Sequence, residues 1–208
     1  MSNKSLNNKF LDSGFGYSTI QRPFSFQKIA PIIQSLNQHA GLAVLDLGCG
    51  PGVHADYFTT HNYTGVDLNP AYIESARKNK SGEFIVGDVC NSDSILAERR
   101  FDIIISNSIF HHLSDEQVVA TLKACQKLLT EAGTFHLVDL YLTERSPSLS
   151  NFLARIDRGT YARTFDNLHS IVAPYFSDFT SSTFRLSFAG VKLWNMAYIR
   201  GTMGKLHS

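Results

Sequence analysis

Three glycines and three acids stand where a nucleotide-like ligand would need them. The run Leu45-Asp46-Leu47-Gly48-Cys49-Gly50-Pro51-Gly52 places Gly48, Gly50 and Gly52 directly after a short apolar stretch. Glycine lets the backbone pass close to a ligand where a side chain would collide with it. Asp46 precedes the turn, Asp67 lies 21 residues further on, and Asp88 another 21 after that. Each interval fits one strand, loop and helix, so the acids converge beyond the carboxyl ends of parallel strands, where open sheets bind ligands. Asp67 can accept both hydroxyls of a ribose. Asp88 can accept from an adenine amino group while the Val89 amide donates to a ring nitrogen. Asp46 can orient the turn and adds negative charge near a cationic ligand. Cys49 and Leu68 belong to the same candidate cofactor contacts.

The spacing discriminates between ligands. A nicotinamide fingerprint, G-x-G-x-x-G, would need glycine at position 53, which holds Val53. Pro51 lacks an amide donor, a poor fit for a pyrophosphate cradle. No Gly-Lys-Ser/Thr follows, which excludes a P-loop.

The surrounding pattern supplies the positioning elements. Ala43–Leu47, Tyr63–Asp67, residues 83–88, 101–106 and 134–140 read as strands, mostly short apolar runs suited to a buried parallel sheet. Helices are predicted over 54–60, from Pro70 to about Asn79, and from Ser114 to Gly133. Pro70 suits a first helical turn. Ser114 with Gln117 makes a capping box, and Gly133 reads as the C-cap. Residues 24–36 read as an amphipathic helix with Phe26, Ile29, Ile33 and Leu36 inward. Residues 1–23 read as a loose arm, 151–156 and 166–176 as helices, and 180–188 and 191–199 as two last strands. Alternating strands and helices imply an α/β, doubly wound, Rossmann-like fold with helices on both faces. The expected organisation is a single domain over 1–208: an arm or lid at 1–23, a cofactor-binding core at 24–140 and a substrate-side segment at 141–208.

On these motifs the chain resembles the class I S-adenosylmethionine-dependent methyltransferases. Residues 45–52 look like their first motif, Gly65-Val66-Asp67 their ribose acid, Gly87-Asp88-Val89 their adenine acid, and residues 101–107 their fourth-strand motif. The resemblance covers about residues 40–140. It implies S-adenosyl-L-methionine as cofactor and a mostly parallel seven-stranded sheet with a reversed last strand. Residues 157–163, Asp-Arg-Gly-Thr-Tyr-Ala-Arg, are similar to a segment of small bacterial members.

Methyl transfer is an in-line displacement at a sulfonium methyl, and a hydroxyl acceptor must also lose a proton. His111 and His112, just past the fourth strand, are the candidate catalytic bases, since histidine titrates near neutrality. Asn107 and Ser108 are expected to touch the methionine part of the cofactor. Asp139 and Tyr141 leave the fifth strand on the same side as candidate substrate contacts. Arg158, Tyr161 and Arg163 are further candidates, with arginines suited to a carboxylate or phosphate. Tyr17 and Arg22, in the glycine-containing arm, are expected to close over the site.

Composition narrows the substrate. The 208 residues carry a net charge of +1, and the densest basic run is Arg99-Arg100. Nucleic-acid binders concentrate basic residues on one face, so no nucleic-acid partner is expected. Three cysteines without CxxC spacing argue against disulfides and metal. No apolar run reaches the ~20 residues of a membrane span, and the N-terminus lacks an apolar signal core. A cytoplasmic enzyme with no membrane partner is expected. It would methylate a small molecule, preferably at oxygen, with nitrogen or carbon open. A protein side-chain methyltransferase and an inactive cofactor-binding partner protein are the rivals.

Overall fold

The computed structural model describes residues 14–36, 40–143 and 160–203, with side chains of 14–23 and 192 excepted. Seven strands form one sheet: β1 Ala43–Leu47, β2 Asn62–Asp67, β3 Glu83–Val86, β4 Phe101–Asn107, β5 Leu129–Leu140, β6 Asp178–Phe188 and β7 Val191–Thr202. Their order is β3-β2-β1-β4-β5-β7-β6. β1 to β5 pair in parallel, and β7 runs antiparallel to both β5 and β6. The expected reversed last strand is therefore present, wedged between β5 and β6.

Helices cover both faces. They are α1 Gly14–Ser35, α2 Pro70–Asn79, α3 Ser92–Leu96, α4 Asp115–Leu128 and α5 Phe165–Val172. One face packs Leu45, Leu47, Ile104, Phe135 and Leu137 against Val118, Leu122 and Cys125 of α4 and Leu168 of α5. The other packs Val44, Ile103, Ile105 and Val138 against Ile29 and Ile32 of α1 and Ile73 and Ala76 of α2. Successive strand residues thus feed opposite cores, which is why the central strands read as unbroken apolar runs. Fully burying each Leu or Ile side chain stabilises by about 1.5–3 kcal/mol.

Local signals set the helix starts. Asn69 caps α2, its side chain accepting from the amides of Ala71 (3.0 Å) and Tyr72 (3.4 Å), with Pro70 in the first turn. The capping box at α4 forms: the Gln117 amide donates to Ser114 Oγ (3.4 Å), and the Ser114 amide donates to Gln117 Oε1 (2.9 Å).

Several boundaries differ from the sequence expectation. Residues 14–23 are not a loose arm but the first turns of α1. The buried face of α1 is Ser25, Lys28, Ile29 and Ile32, while Phe26 is exposed. Ile29, Ile33 and Leu36 pack against the core as expected, Phe26 does not, and two polar residues, Ser25 and Lys28, share the buried face. Residues 54–60 hold a 3-10 turn at Ala55–Tyr57, not a helix. α4 ends at Leu128, and Gly133 lies inside β5 rather than capping the helix. There an added Cβ would sit 2.9 Å from the Thr130 carbonyl oxygen. β3 stops at Val86, and α5 covers Phe165–Val172 before a 3-10 turn at Ala173–Tyr175. The helix expected at 151–156 lies outside the described residues.

Candidate functional site

The carboxyl ends of β1, β2 and β4 carry the crevice. Gly48, Gly50 and Gly52 adopt φ of 74°, 54° and 75°, a region that suits glycine and strains other residues. The turn is tied to the neighbouring strand: the amides of Gly48 (2.7 Å) and Cys49 (3.1 Å) donate to the Val66 carbonyl. Asp67 completes the link. Its Oδ2 accepts from the Gly50 amide at 2.8 Å, and its Oδ1 from the Asn69 amide at 2.8 Å. Each carboxylate oxygen has a second lone pair, so acceptor capacity toward a ribose remains. Burial pushes the Asp67 carboxyl above the usual carboxylate range, opposed by the two amides.

Asp88 starts a 3-10 turn at Val89–Asn91, and its Oδ1 accepts from the Cys90 amide at 2.9 Å. Each carboxylate oxygen has two lone pairs, so acceptor capacity for an exocyclic amine remains. Val89 is buried and packs in the core beside Leu47, Val66 and Leu96. Leu68 is 71% exposed beside Asp67, an apolar surface available to a flat ring.

Asp46 does something other than face the ligand. It is fully buried on the α1 and α2 side of β1, its Oδ2 accepts from Tyr63 Oη at 2.6 Å, and His54 Nδ1 lies 3.5 Å away. Its Oδ1 is buried without a partner. Cys49 also turns inward, its sulfur filling the space beside Gly65, where an added Cβ would lie 2.6 Å away. Burial raises its thiol well above the ordinary range, so it is an inert packing group.

A small pocket next to the glycine turn is lined by Ser25, Lys28, Gly48, Cys49, Val53, His54, Asn107 and Ser108. Ser108 has φ 59°, a strained value for a non-glycine residue, of the kind that clusters at functional sites. Its amide donates to the Val138 carbonyl at 2.7 Å, and its Oγ donates to Asn107 Oδ1 at 3.0 Å. Lys28 Nζ donates to Ser108 Oγ at 3.0 Å. Asn107 Nδ2 is buried with no partner, a donor left for a ligand. Sequence reading missed Ser25, Lys28 and His54. The available signal was Lys28 itself, a cation on the inward stripe of a helix.

Beyond β4 the chain reaches a second cluster. His111 is 3% exposed, and its Nδ1 lies 2.5 Å from Asp139 Oδ1. The same carboxylate accepts from the His111 amide (3.1 Å) and the Leu140 amide (2.7 Å). Asp139 is thus a buried, satisfied anion held by β5 and by the turn after β4, and not an open substrate contact. His112 is exposed, its ring 4.1 Å from that of His111. Tyr141 packs edge-on against Phe165 at 5.7 Å.

Residues 160–164 close over this turn. The Tyr161 amide donates to the His111 carbonyl at 3.0 Å, and its side chain is exposed. Arg163 uses all five of its N–H groups: Nε and one terminal nitrogen on Asp115, the terminal nitrogens also on the carbonyls of Phe110, Tyr161 and Leu113. It is a clamp between this segment and the β4–α4 turn, with no donor left for a substrate anion. Arg158 lies outside the described residues, as do the side chains of Tyr17 and Arg22; the backbone of these last two is helical. Among the described residues no group of three or more His, Cys, Asp or Glu is placed to hold a metal, and no helix is long and apolar enough to cross a membrane.

Comparison with known proteins adds to this geometry. Residues 44–133 match the family model described as a methyltransferase domain. Ribosomal RNA small subunit methyltransferase C of Klebsiella pneumoniae is 31% identical over 116 residues, which are 51% of this chain and 34% of that protein. The malonyl-acyl-carrier-protein O-methyltransferase of Priestia megaterium is 30% identical over 126 residues, 57% of this chain and 43% of that protein. The chain therefore spans less than half the length of these curated relatives. The YcgJ protein of Bacillus subtilis shares the fold with a TM-score of 0.67 at 18% identity, covering 86% of this chain and 99% of that one.

Proposed function

We propose that this chain, whose residues 44–133 match the methyltransferase-domain model, is a class I S-adenosylmethionine-dependent methyltransferase that methylates a small-molecule acceptor, preferably at oxygen. The observation that carries the cofactor reading is the Asp67 carboxylate, bonded to the Gly50 amide of the glycine turn with acceptor capacity remaining. The seat fits the cofactor along its length. Asp88 Oδ2 and the Val89 amide would meet the adenine, Leu68 would cover the ring, and Asp67 would take the ribose hydroxyls. Asn107 Nδ2, a buried donor without a partner, and Lys28 Nζ would meet the carboxylate of the methionine part. When bound, the cofactor supplies an activated methyl on a cationic sulfur.

The chain's own residues then orient the acceptor and exclude water. Holding reactants aligned can contribute on the order of 7–11 kcal/mol. The net charge of +1 supports a small acceptor over RNA, although ribosomal RNA enzymes are among the relatives. The test is incubation with methyl-labelled S-adenosylmethionine and a fractionated cell extract. Label in the small-molecule fraction is expected. Label confined to RNA or to protein would contradict the acceptor class.

A further inference from the structure

We infer that a cavity at the amino ends of the parallel strands is a second binding site, separate from the crevice, for a small molecule that carries a phosphate or carboxylate group. The cavity has a volume of about 350 Å³. Its wall includes Ala43, Asn62, Glu83 and Phe101, the first residues of β1, β2, β3 and β4. The glycine turn and Asn107 stand at the other ends of β1 and β4. Along β2, from Asn62 to Asp67, the two poles are roughly 17 Å apart at a rise of about 3.3 Å per residue.

The lining is cationic. Arg99 and Arg100 both contribute to it, against one acid, Glu83. They are the densest basic run of the sequence, too short to follow a nucleic acid and not used by the cofactor seat. Arg99 Nη2 donates to Thr64 Oγ1 at 2.9 Å, and Nη1 pairs with Glu83 Oε2 at 2.9 Å. A guanidinium has five N–H groups, so donors remain. Among the described residues the Arg100 side chain makes one hydrogen bond, to the Arg99 carbonyl at 2.9 Å, and no ion pair. Exposed ion pairs contribute little to stability, so Glu83 alone does not account for two adjacent arginines. Asp102, one residue into β4, does not line the cavity; it accepts from the Ala43 amide and from Thr130 Oγ1.

His61 is the third element. It lines the cavity, its ring lies edge-on to Phe58 at 6.0 Å, and its Nδ1 is buried without a partner. An unpaired buried polar atom is unfavourable, and a ligand oxygen would satisfy it. The Asn62 amide donates to the Gly41 carbonyl at 3.1 Å and keeps a second N–H. The loop that presents the arginines is fixed by strain: Ala97 has φ 49°, and the Arg99 amide donates to the Leu96 carbonyl at 3.1 Å.

These donors set the ligand class. Guanidinium groups grip carboxylate and phosphate oxygens through paired N–H donors. The volume lies near the lower end of ligand pockets, about 300–1,000 Å³, which suits a small metabolite rather than a polymer or a lipid.

The experiment titrates the full nitrogen-labelled chain with inorganic phosphate, glycerol phosphate, citrate and, as neutral control, glycerol, at constant ionic strength. Backbone amide shifts are the readout. Saturable shifts at Asn62, Gly82, Arg100 and Phe101 are expected with at least one anion, and none with glycerol. A response to the phosphates without citrate assigns a phosphate ester, and the reverse assigns a carboxylate. Arg100→Ala should weaken binding about tenfold, and His61→Phe, which keeps the ring against Phe58, at least about threefold. A dispersed amide spectrum shows that each variant folds. The amides of Gly48, Gly50 and Gly52 should not move, since the glycine turn is at the other pole. No saturable shift with any anion, shifts that grow linearly over the whole surface, or wild-type affinity in Arg100→Ala or His61→Phe would overturn the site.

Discussion

Lowering the pH from 7 to 5 is expected to destabilise the fold through His136. This residue sits inside β5, fully buried on the α1 side of the sheet, opposite Ile105 of β4 and Arg200 of β7. Its Nε2 lies 2.8 Å from Thr134 Oγ1, and its Nδ1 lies 3.0 Å from Tyr198 Oη and 3.5 Å from Ser35 Oγ. Hydroxyls can accept from both nitrogens, so geometry does not forbid protonation. Burial does, with the Arg200 charge second, and together they hold the ring's pKa down from 6.5 to about 3. Between those values the unfolded chain binds a proton that the folded chain refuses. Stability is therefore complete above pH 6.5 and falls as the pH drops toward 3.

Each unit is worth about 1.36 kcal/mol, so the loss at pH 5 is about 2 kcal/mol. Against a domain stability of about 5–15 kcal/mol that is a large fraction. Urea denaturation of the wild type and of His136→Gln at pH 7 and pH 5 isolates the effect, since other titrating groups are shared. The wild type should lose about 2 kcal/mol more than the variant over this interval. Equal losses in the two proteins, or a His136 ring titrating near 6.5 by NMR, would refute the reasoning.

Three substitutions follow from the same geometry. Gly48→Ala combines φ 74° with a Cβ 2.5 Å from Ile109 Cδ1, so it should cost about 1–2 kcal/mol in denaturation and weaken S-adenosylhomocysteine at least tenfold by calorimetry. Arg163→Ala frees the carbonyls of Phe110 and Leu113, and a loss of about 1–3 kcal/mol is expected in the same denaturation assay. A change below ~0.5 kcal/mol would mark it as an ordinary surface pair. Ser114→Ala removes the capping box of α4 and should cost about 1 kcal/mol of stability.

The sheet was legible because its signals are local. Short apolar strands ending in Leu47, Asp67 and Asn107 declare their own boundaries, and Ser114 and Pro70 mark helix starts within one turn. The glycine turn and Asp67 were legible for the same reason, since one carries the strained φ and the other lies one strand–helix unit away. What escaped was set by tertiary contact. Lys28 and Ser25 share the buried face of α1, and a polar residue in a helix carries no local sign of facing inward. His54 gains its meaning from Asp46, which only the buried side of β1 brings near it. Asp139 and Arg163 were read as reaching for substrate, since sequence shows a charge but not the amides or carbonyls that already satisfy it.

Calorimetric titration of the protein with S-adenosylhomocysteine tests the cofactor seat most directly. One-to-one binding is expected, weakened at least tenfold, about 1.4 kcal/mol, by Asp67→Ala. Absence of binding at millimolar ligand, or equal affinity in Asp67→Ala, would contradict a site built on the glycine turn and Asp67.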